Sequence, residues 1–383
     1  MDKITRAKEF MKAHDIDMWV IFTGEGKDIH SPWIVGAKCY GKHMVIVPVD
    51  GEPTIIIDEM EAPMVEKAKK IKNILIYKKS GEFKKLIKET VTNIASKPTI
   101  ALNYVDNLLE EGGEAVSYLT MSDYLALKKL FPEAKFVSAR ELVTELRMKK
   151  DKEDIKMHKK AVEITLKAFD RALEVLRPGV TETEVAAEID FVKMKYGASN
   201  AFNTIVASGP YAADPHHSPD PNKKIKEGEL VVIDQGAKYK SYDADITWTI
   251  HVGKNPTERY LKMYYAVKEA HDAAIEAIRP GVEGWEIDKI ARDIIHKHGF
   301  TDKEFMHSTG HPVDIVVHGV GPYFTKKNGG KRATMKLVPG LIMTVEPGVY
   351  IQGVGGVRIE DDVLVTEDGY QVLTKTPEDL IEL

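Results

Sequence analysis

The chain has a single cysteine, Cys39, among 383 residues. One thiol excludes an internal disulfide framework and any cysteine-cluster metal site. Flanked by Lys38, Tyr40 and Gly41, with no local signature, Cys39 reads as inert rather than nucleophilic. Long apolar runs are missing as well, and none approaches the roughly 18 residues of a membrane span. Residues 1–22 carry charges throughout and lack an apolar signal core, so a cytoplasmic setting is expected. Nor is there an excess of one charge. The formal net charge is -5 and the signs are mixed along the chain. That removes the electrostatic case for nucleic acid or an anionic membrane as partner. What is present is 43% hydrophobic and 30% charged residues, enough for two domains with a core each.

The first part of the chain alternates between strand-like and helix-like segments. Residues 2–14 place Ile4, Ala7, Phe10 and Met11 on one helical face. Met18–Phe22 reads as a short apolar strand. His43–Val49 and Thr54–Ile57 flank Asp50-Gly51, a hairpin turn signal. Helices over 62–70, 83–94 and 122–130 then alternate with strands over 74–77, 99–103 and 135–138. The expectation is a compact α/β domain over residues 1–140. It shows no catalytic constellation, and His14, His30 and His43 read as surface or satisfied polar residues. From Arg140 to Leu176 the pattern becomes helical, with one or two long amphipathic helices. A helical linker is expected over 141–160, centred on the charge-dense run from Met148 to Lys160.

Beyond the linker, over 161–383, the chain repeats itself. Leu176-Arg-Pro-Gly-Val180 recurs as Ile278-Arg-Pro-Gly-Val282, offset by 102 residues. Each copy sits between two amphipathic helices. In the first copy Thr181-Glu-Thr-Glu184 is a capping-box start. The following helices stop at Gly197 and Gly299. Later, Gly228 precedes Leu-Val-Val-Ile-Asp234 and Gly340 precedes Leu-Ile-Met-Thr-Val-Glu346. In both, another Gly follows two residues on, at Gly236 and Gly348. Asp234 and Glu346 therefore hold equivalent places in two halves of one domain.

Each half adds a second carboxylate. Asp245 opens the β-type segment Ile246–Ile250, and Glu360 opens Asp-Asp-Val-Leu-Val-Thr366. Halves packed about a pseudo-two-fold axis bring four carboxylates together. Unaided, such a group would be left largely protonated by repulsion and desolvation. A pair of divalent cations resolves the conflict, and oxygen-rich ligands suit hard or borderline ions such as Mn and Mg. Five of the 13 histidines fall in two short windows: His216-His217 after Pro215, and His307, His311 and His318 in the second half. His311, after Gly310 at a strand end, could join the carboxylates.

Asp234 and Asp245, then His311, then Val-Glu346-Pro-Gly, then Arg358-Ile-Glu360-Asp, taken together, resemble the pita-bread metallopeptidases: prolidase, aminopeptidase P and methionine aminopeptidase, with creatinase as a metal-free relative. The resemblance covers roughly residues 155–383, and the N-terminal part is similar to the domain that prolidase, aminopeptidase P and creatinase carry. It implies an α+β pita-bread catalytic domain with an internal pseudo-two-fold repeat after the α/β domain. It implies two divalent metal ions (Mn, Co or Zn, with Mn favoured) held by Asp234, Asp245, His311, Glu346 and Glu360. A hydroxide bridging the ions would attack the scissile bond, with Glu346 as proton shuttle. His318 would steady the tetrahedral intermediate, and Arg358 would lie near the metals and the substrate. The family histidine that follows Pro matches His216 read forward from Pro215 and His217 counted back from Asp234. Both stay open as catalytic, and His217 also as substrate-binding.

The implied reaction is hydrolysis of an Xaa-Pro bond in a di- or oligopeptide, by an Xaa-Pro dipeptidase or an Xaa-Pro aminopeptidase, as a homodimer. The sequence departs from the family at Trp248 (commonly Arg), Pro312 (usually Gly) and Asp314 (usually small). These departures motivate an alternative: a hydrolase or lyase on the same scaffold, acting on a non-peptide substrate. A binding module that has lost catalysis is a third reading, disfavoured because every ligand type is in place.

Overall fold

The structure is a computed structural model and is described for residues 1–106, 116–374 and 376–383. It divides into two compact units, Met1–Arg147 and Met148–Leu383. Among the described residues, no helix is long and apolar enough to cross a membrane.

The first unit is a six-stranded mixed sheet with helices. Its strands are β1 (Met18–Thr23), β2 (His43–Pro48), β3 (Thr54–Asp58), β4 (Asn73–Tyr77), β5 (Thr99–Leu102) and β6 (Lys135–Ser138), in the order β4-β3-β2-β1-β5-β6. β2 and β3 form the antiparallel hairpin signalled by Asp50-Gly51, while β3–β4, β1–β5 and β5–β6 are parallel. The helices are α1 (Lys3–Ala13), α2 (His30–Val35), α3 (Ala62–Ala68), α4 (Ser80–Ile94), α5 (Met121–Leu130) and α6 (Arg140–Met148). Only α2 was not foreseen. It is a six-residue apolar turn with Pro32 inside and Gly36 in the left-handed region as its stop, too short to show a helical period. His30 and His43 are satisfied core groups: His30 Nδ1 bonds Asp28 at 2.8 Å and His43 Nε2 bonds Ser31 at 2.6 Å. Burial pushes the Cys39 thiol up to about 11, so it is inert at neutral pH.

The second unit begins with α7 (Lys152–Val175), capped by Asp151, and α8 (Glu182–Lys195), capped by the predicted Thr181–Glu184 box. Residues 152–160 are continuous with α7, and Asp154 and His158 in them are buried. Next come β7 (Ser199–Asn200), β8 (Ile205–Ser208), β9 (Leu230–Gln235), β10 (Ala237–Tyr239), β11 (Tyr242–Asp243) and β12 (Ile246–His251). The second half supplies α9 (Glu258–Glu276), α10 (Gly284–Lys297), β13 (Ile342–Val345), β14 (Gly348–Ile351), β15 (Gly355–Arg358), β16 (Asp361–Val365), β17 (Tyr370–Val372) and β18 (Ile381–Glu382).

The repeat is visible in backbone detail. Gly179 and Gly281 both take positive φ, at 94° and 88°, and their N–H groups donate to Ile225 and Leu337 at 2.8 and 2.9 Å. Thr181 bridges Lys224 as Glu283 bridges Lys336. Each half builds its own core. One joins α7, α8, β9 and β12 around Phe169, Ile189 and Ile233; the other joins α9, α10, β13 and β16 around Val267, Ile287 and Met343. The halves meet where Thr247 of β12 pairs with Glu360, just ahead of β16.

Gly236 is where the chain leaves β9, and a Cβ there would lie 1.8 Å from the Ala244 carbonyl oxygen. Gly81 in α4 has nothing within 4 Å of its place for a Cβ. Gly236→Ala is therefore expected to cost about 1–3 kcal/mol through overpacking, whereas Gly81→Ala is expected to cost nothing. Thermal unfolding of both variants checks this, and equal midpoints would contradict it.

Candidate metal centre and active site

Strand alternation decides which side chains face the site. In β12, Ile246, Trp248 and Ile250 turn into the core of the first half, leaving Thr247 and Thr249 on the other face. Asp234 of β9 is opposite Thr247 in the ladder. Asp245 enters β12, Glu346 follows β13, and Glu360 lies between β15 and β16. Every carboxylate thus stands at or next to a strand end; Asp234 is paired on both sides, with Ile205 and Thr247, and Glu360 bridges Thr247.

Arg358 ties the first layer together. Its Nη2 donates to Asp234 Oδ2 at 2.7 Å, its Nε to Thr247 Oγ1 at 3.1 Å, and its Nη1 to the Tyr350 hydroxyl at 2.7 Å. Thr247 Oγ1 in turn donates to Glu360 Oε2 at 2.7 Å. His307 Nδ1 donates to the Ser308 carbonyl, so its Nε2 accepts from the Tyr350 hydroxyl at 2.8 Å. Burial and the Arg358 charge push His307 down to about 3.

His311 is the imidazole of the cluster. Its Nδ1 donates to the Pro312 carbonyl at 3.1 Å, which leaves the Nε2 lone pair pointing at the carboxylates. Burial and the nearby His318 push it down to about 3, so it is neutral at physiological pH. Nε2 nevertheless lies 3.4 Å from Glu346 Oε1 and 3.6 Å from Asp245 Oδ2. These contacts are not salt bridges. They set a lone pair against carboxylate oxygens, an arrangement a cation satisfies. Asp245, His311 and Glu360 each offer one atom within 4.8 Å of the others. Asp234 Oδ1 is buried with no hydrogen-bond partner, as expected of a missing metal bond.

Electrostatics give the same picture. Burial raises Asp245 and Glu360 well above the usual carboxylate range, and neighbouring carboxylates add to this in both. Burial, opposed by Arg358, raises Glu346 to about 8. Arg358 is one positive charge among four carboxylates, so divalent cations fit this donor set. Behind the cluster, Asp362 accepts the Asp245 backbone N–H at 3.2 Å and bonds His158 at 3.1 Å.

The remaining histidines separate. His318 is exposed, its ring 4.5 Å from that of His311. His217 Nε2 bonds the fully buried Glu182 at 2.7 Å. His216 is exposed. Glu182 was invisible in sequence as a partner, because the Thr181–Glu184 cap accounts for its neighbourhood. Tyr350 was missed as well, although it lies four residues after Glu346.

The family departures have structural explanations. Trp248 turns away from the cluster and stacks on Phe169 at 4.2 Å, so the expectation that it shapes the substrate site is corrected. Pro312 supplies the carbonyl that orients His311. Asp314 is buried, and its carboxylate accepts from Val316 N–H at 3.0 Å and Val320 N–H at 3.4 Å, closing the loop that carries His318.

Comparison with known proteins places the chain in a family. Residues 156–367 match the family described as Metallopeptidase family M24, and residues 3–149 match the Creatinase/Prolidase N-terminal domain. An Xaa-Pro dipeptidase of Pyrococcus furiosus is 35% identical over 381 residues, 99% of each chain. Among solved structures, an Xaa-Pro dipeptidase from Bacillus anthracis superposes with a TM-score of 0.84 at 33% identity, covering 100% of this chain and 99% of that one. An X-Pro aminopeptidase from Thermotoga maritima MSB8 gives 0.85 at 30% identity, covering 99% and 100%.

A carboxyl group raised on folding contributes stability that is present below its unfolded value and lost as pH rises toward its folded one. Chelated protein is therefore expected to lose stability from about pH 5 to about pH 8, the value of Glu346, while metal-loaded protein does not. For the same reason metal binding should release protons. Calorimetry in buffers of different ionisation enthalpy, with thermal unfolding at both pH values, measures both effects. No proton release, together with a flat pH profile for the chelated protein, would contradict the description.

Proposed function

The chain belongs to metallopeptidase family M24, and from that premise we propose that it hydrolyses Xaa-Pro bonds, as an Xaa-Pro dipeptidase holding two divalent cations. The observation that carries this is the set of facing acceptors, His311 Nε2 against Asp245 and Glu346 with Glu360 adjoining. The relatives include both an Xaa-Pro dipeptidase and an X-Pro aminopeptidase.

Asp234, Asp245, His311, Glu346 and Glu360 would hold the ions. The mixed oxygen and imidazole set suits borderline ions, with Mn favoured over Co and Zn. Such ions supply Lewis acidity at the scissile carbonyl and a water acidic enough to attack at neutral pH. The chain's own groups do the rest. Glu346 takes a proton from the attacking water and passes it to the departing proline nitrogen. His318 and His216 donate to the oxygen that gains charge at the scissile carbon. Arg358 holds Asp234 in place and balances part of the carboxylate charge, a positioning role. His217 stays on Glu182 and shapes the 214–220 loop.

With Trp248, Pro312 and Asp314 all in structural roles, the non-peptide alternative loses its motivation. A cytoplasmic homodimer completes the proposal, and light scattering should give about twice the 42.9 kDa chain mass.

Manganese-loaded protein should cleave Ala-Pro and Met-Pro. Absence of cleavage of these and of a longer Xaa-Pro-Yaa peptide by fully metallated protein would end the peptidase reading. Between the histidines, His216→Ala is expected to lower kcat by about 100-fold or more with an unchanged melting point. His217→Ala should lower the melting point, because it strips one partner from a buried carboxylate, which keeps only its bonds from Ser208 and Asp220. The reverse pattern would exchange their roles.

A further inference from the structure

The residues that would hold the ions are not themselves held alike. Asp234 is paired inside the sheet, with Ile205 on one side and Thr247 on the other. The Glu346 and Glu360 N–H groups donate to the Thr309 and Thr247 carbonyls at 2.7 and 3.0 Å, and the His311 N–H donates to the Thr344 hydroxyl at 3.0 Å. Asp245 differs. It stands just ahead of the β9–β12 ladder, whose nearest pair is Ile246 with Gln235, and its N–H donates to the carboxylate of Asp362 at 3.2 Å. Asp362 belongs to the other half, in β16 opposite Thr344 of β13. A carboxylate thus holds the backbone of one ligand across the junction of the halves.

Among the described residues that carboxylate has one further partner. His158, from α7, donates from Nε2 to Asp362 Oδ2 at 3.1 Å, and the two side chains are 1% and 0% exposed. His158 Nδ1 and Asp362 Oδ1 are buried with no hydrogen-bond partner among the described residues. An imidazole buried for a single hydrogen bond is a poorer choice for stability than an apolar side chain of its size. Asp362 is moreover a fifth carboxylate beside the four of the cluster. Unanchored, it could turn toward the cations or leave the Asp245 N–H. Both bonds fall on the same oxygen, so the imidazole fixes the atom on which Asp245 rests. The neighbouring pair supplies a contrast. Asp361 bonds His271 at 3.2 Å and accepts from Thr374 and Thr376, and strand alternation turns it to the opposite face. None of these partners is one of the proposed ligands.

We propose that His158 is a positioning residue for the metal centre: through Asp362 it sets the backbone of Asp245 and keeps Asp362 itself out of the ligand set. A carboxylate–imidazole pair behind a ligand tunes metal affinity without touching the ion. The inference rests on the metal-binding part of the reading above and adds a residue from the helix that opens the second unit.

The test titrates manganese into the chelated full chain by calorimetry, for the wild type, His158→Met, His158→Gln and His271→Met. Melting points with and without metal, and the electron paramagnetic resonance spectrum of the loaded forms, are recorded alongside. Met fills the place of the ring without a donor, and Gln restores an N–H donor. His158→Met should weaken manganese binding by about 10- to 100-fold. It should also replace the spectrum of a spin-coupled pair by that of isolated ions, and lower the melting point of the loaded protein more than that of the chelated protein. His158→Gln should recover part of the affinity. His271→Met should lower both melting points alike and change the affinity by less than about 3-fold. His158→Met with wild-type affinity and a coupled spectrum overturns the proposal. So do equal falls of its two melting points, a loss that His158→Gln does not relieve, an equal loss of affinity in His271→Met, or a His158→Met chain that does not fold, since each marks a purely structural imidazole. Wild-type protein that binds no manganese instead overturns the metal reading itself.

Discussion

Four carboxylates and a neutral imidazole share one low-dielectric place, with Arg358 as the only cation bonded directly to the cluster among the described contacts. Two unit charges about 4 Å apart interact by about 4 kcal/mol at an effective dielectric near 20. Folding alone meets several such repulsions at a cost, and burial with the neighbouring charges raises Asp245, Glu346 and Glu360 above the usual carboxylate range. The surrounding structure serves to keep these groups together in spite of that cost. Strand ladders fix their backbones, Arg358 and Thr247 fix two of the carboxylates, and the Pro312 carbonyl fixes the tautomer of His311.

The duplicated architecture makes such a cluster straightforward to build. Each half brings its carboxylates to strand ends, and each half has a core of its own to hold those strands. The Thr247–Glu360 bridge then joins the two halves at the point where the charges meet. Further imidazole–carboxylate pairs lie next to Glu360 in the chain, His158 with Asp362 and His271 with Asp361, and His217 pairs with Glu182 elsewhere in the first half. In each, a buried carboxylate finds an imidazole rather than a long cationic side chain.

Much of this was legible in the sequence. The Arg-Pro-Gly repeat exposed the duplication because glycine at positive φ is required at both turns, and the carboxylates stood at matching distances from Gly228 and Gly340. The strands of the first unit followed from apolar runs and turn residues. What could not be read were contacts made by residues that look ordinary locally. Glu182 was hidden beside a helix cap. Trp248 was conspicuous as a departure, yet the strand period turns it inward. What sets His217 apart from His216 is its bond to Glu182, 35 residues upstream of His217.

The central claim is that this cluster exists to hold a pair of divalent cations. Anomalous diffraction from crystals of the manganese-loaded protein tests it most directly. Two adjacent peaks bounded by Asp234, Asp245, His311, Glu346 and Glu360 are predicted. A single peak, peaks elsewhere, or none at saturating manganese would contradict the account.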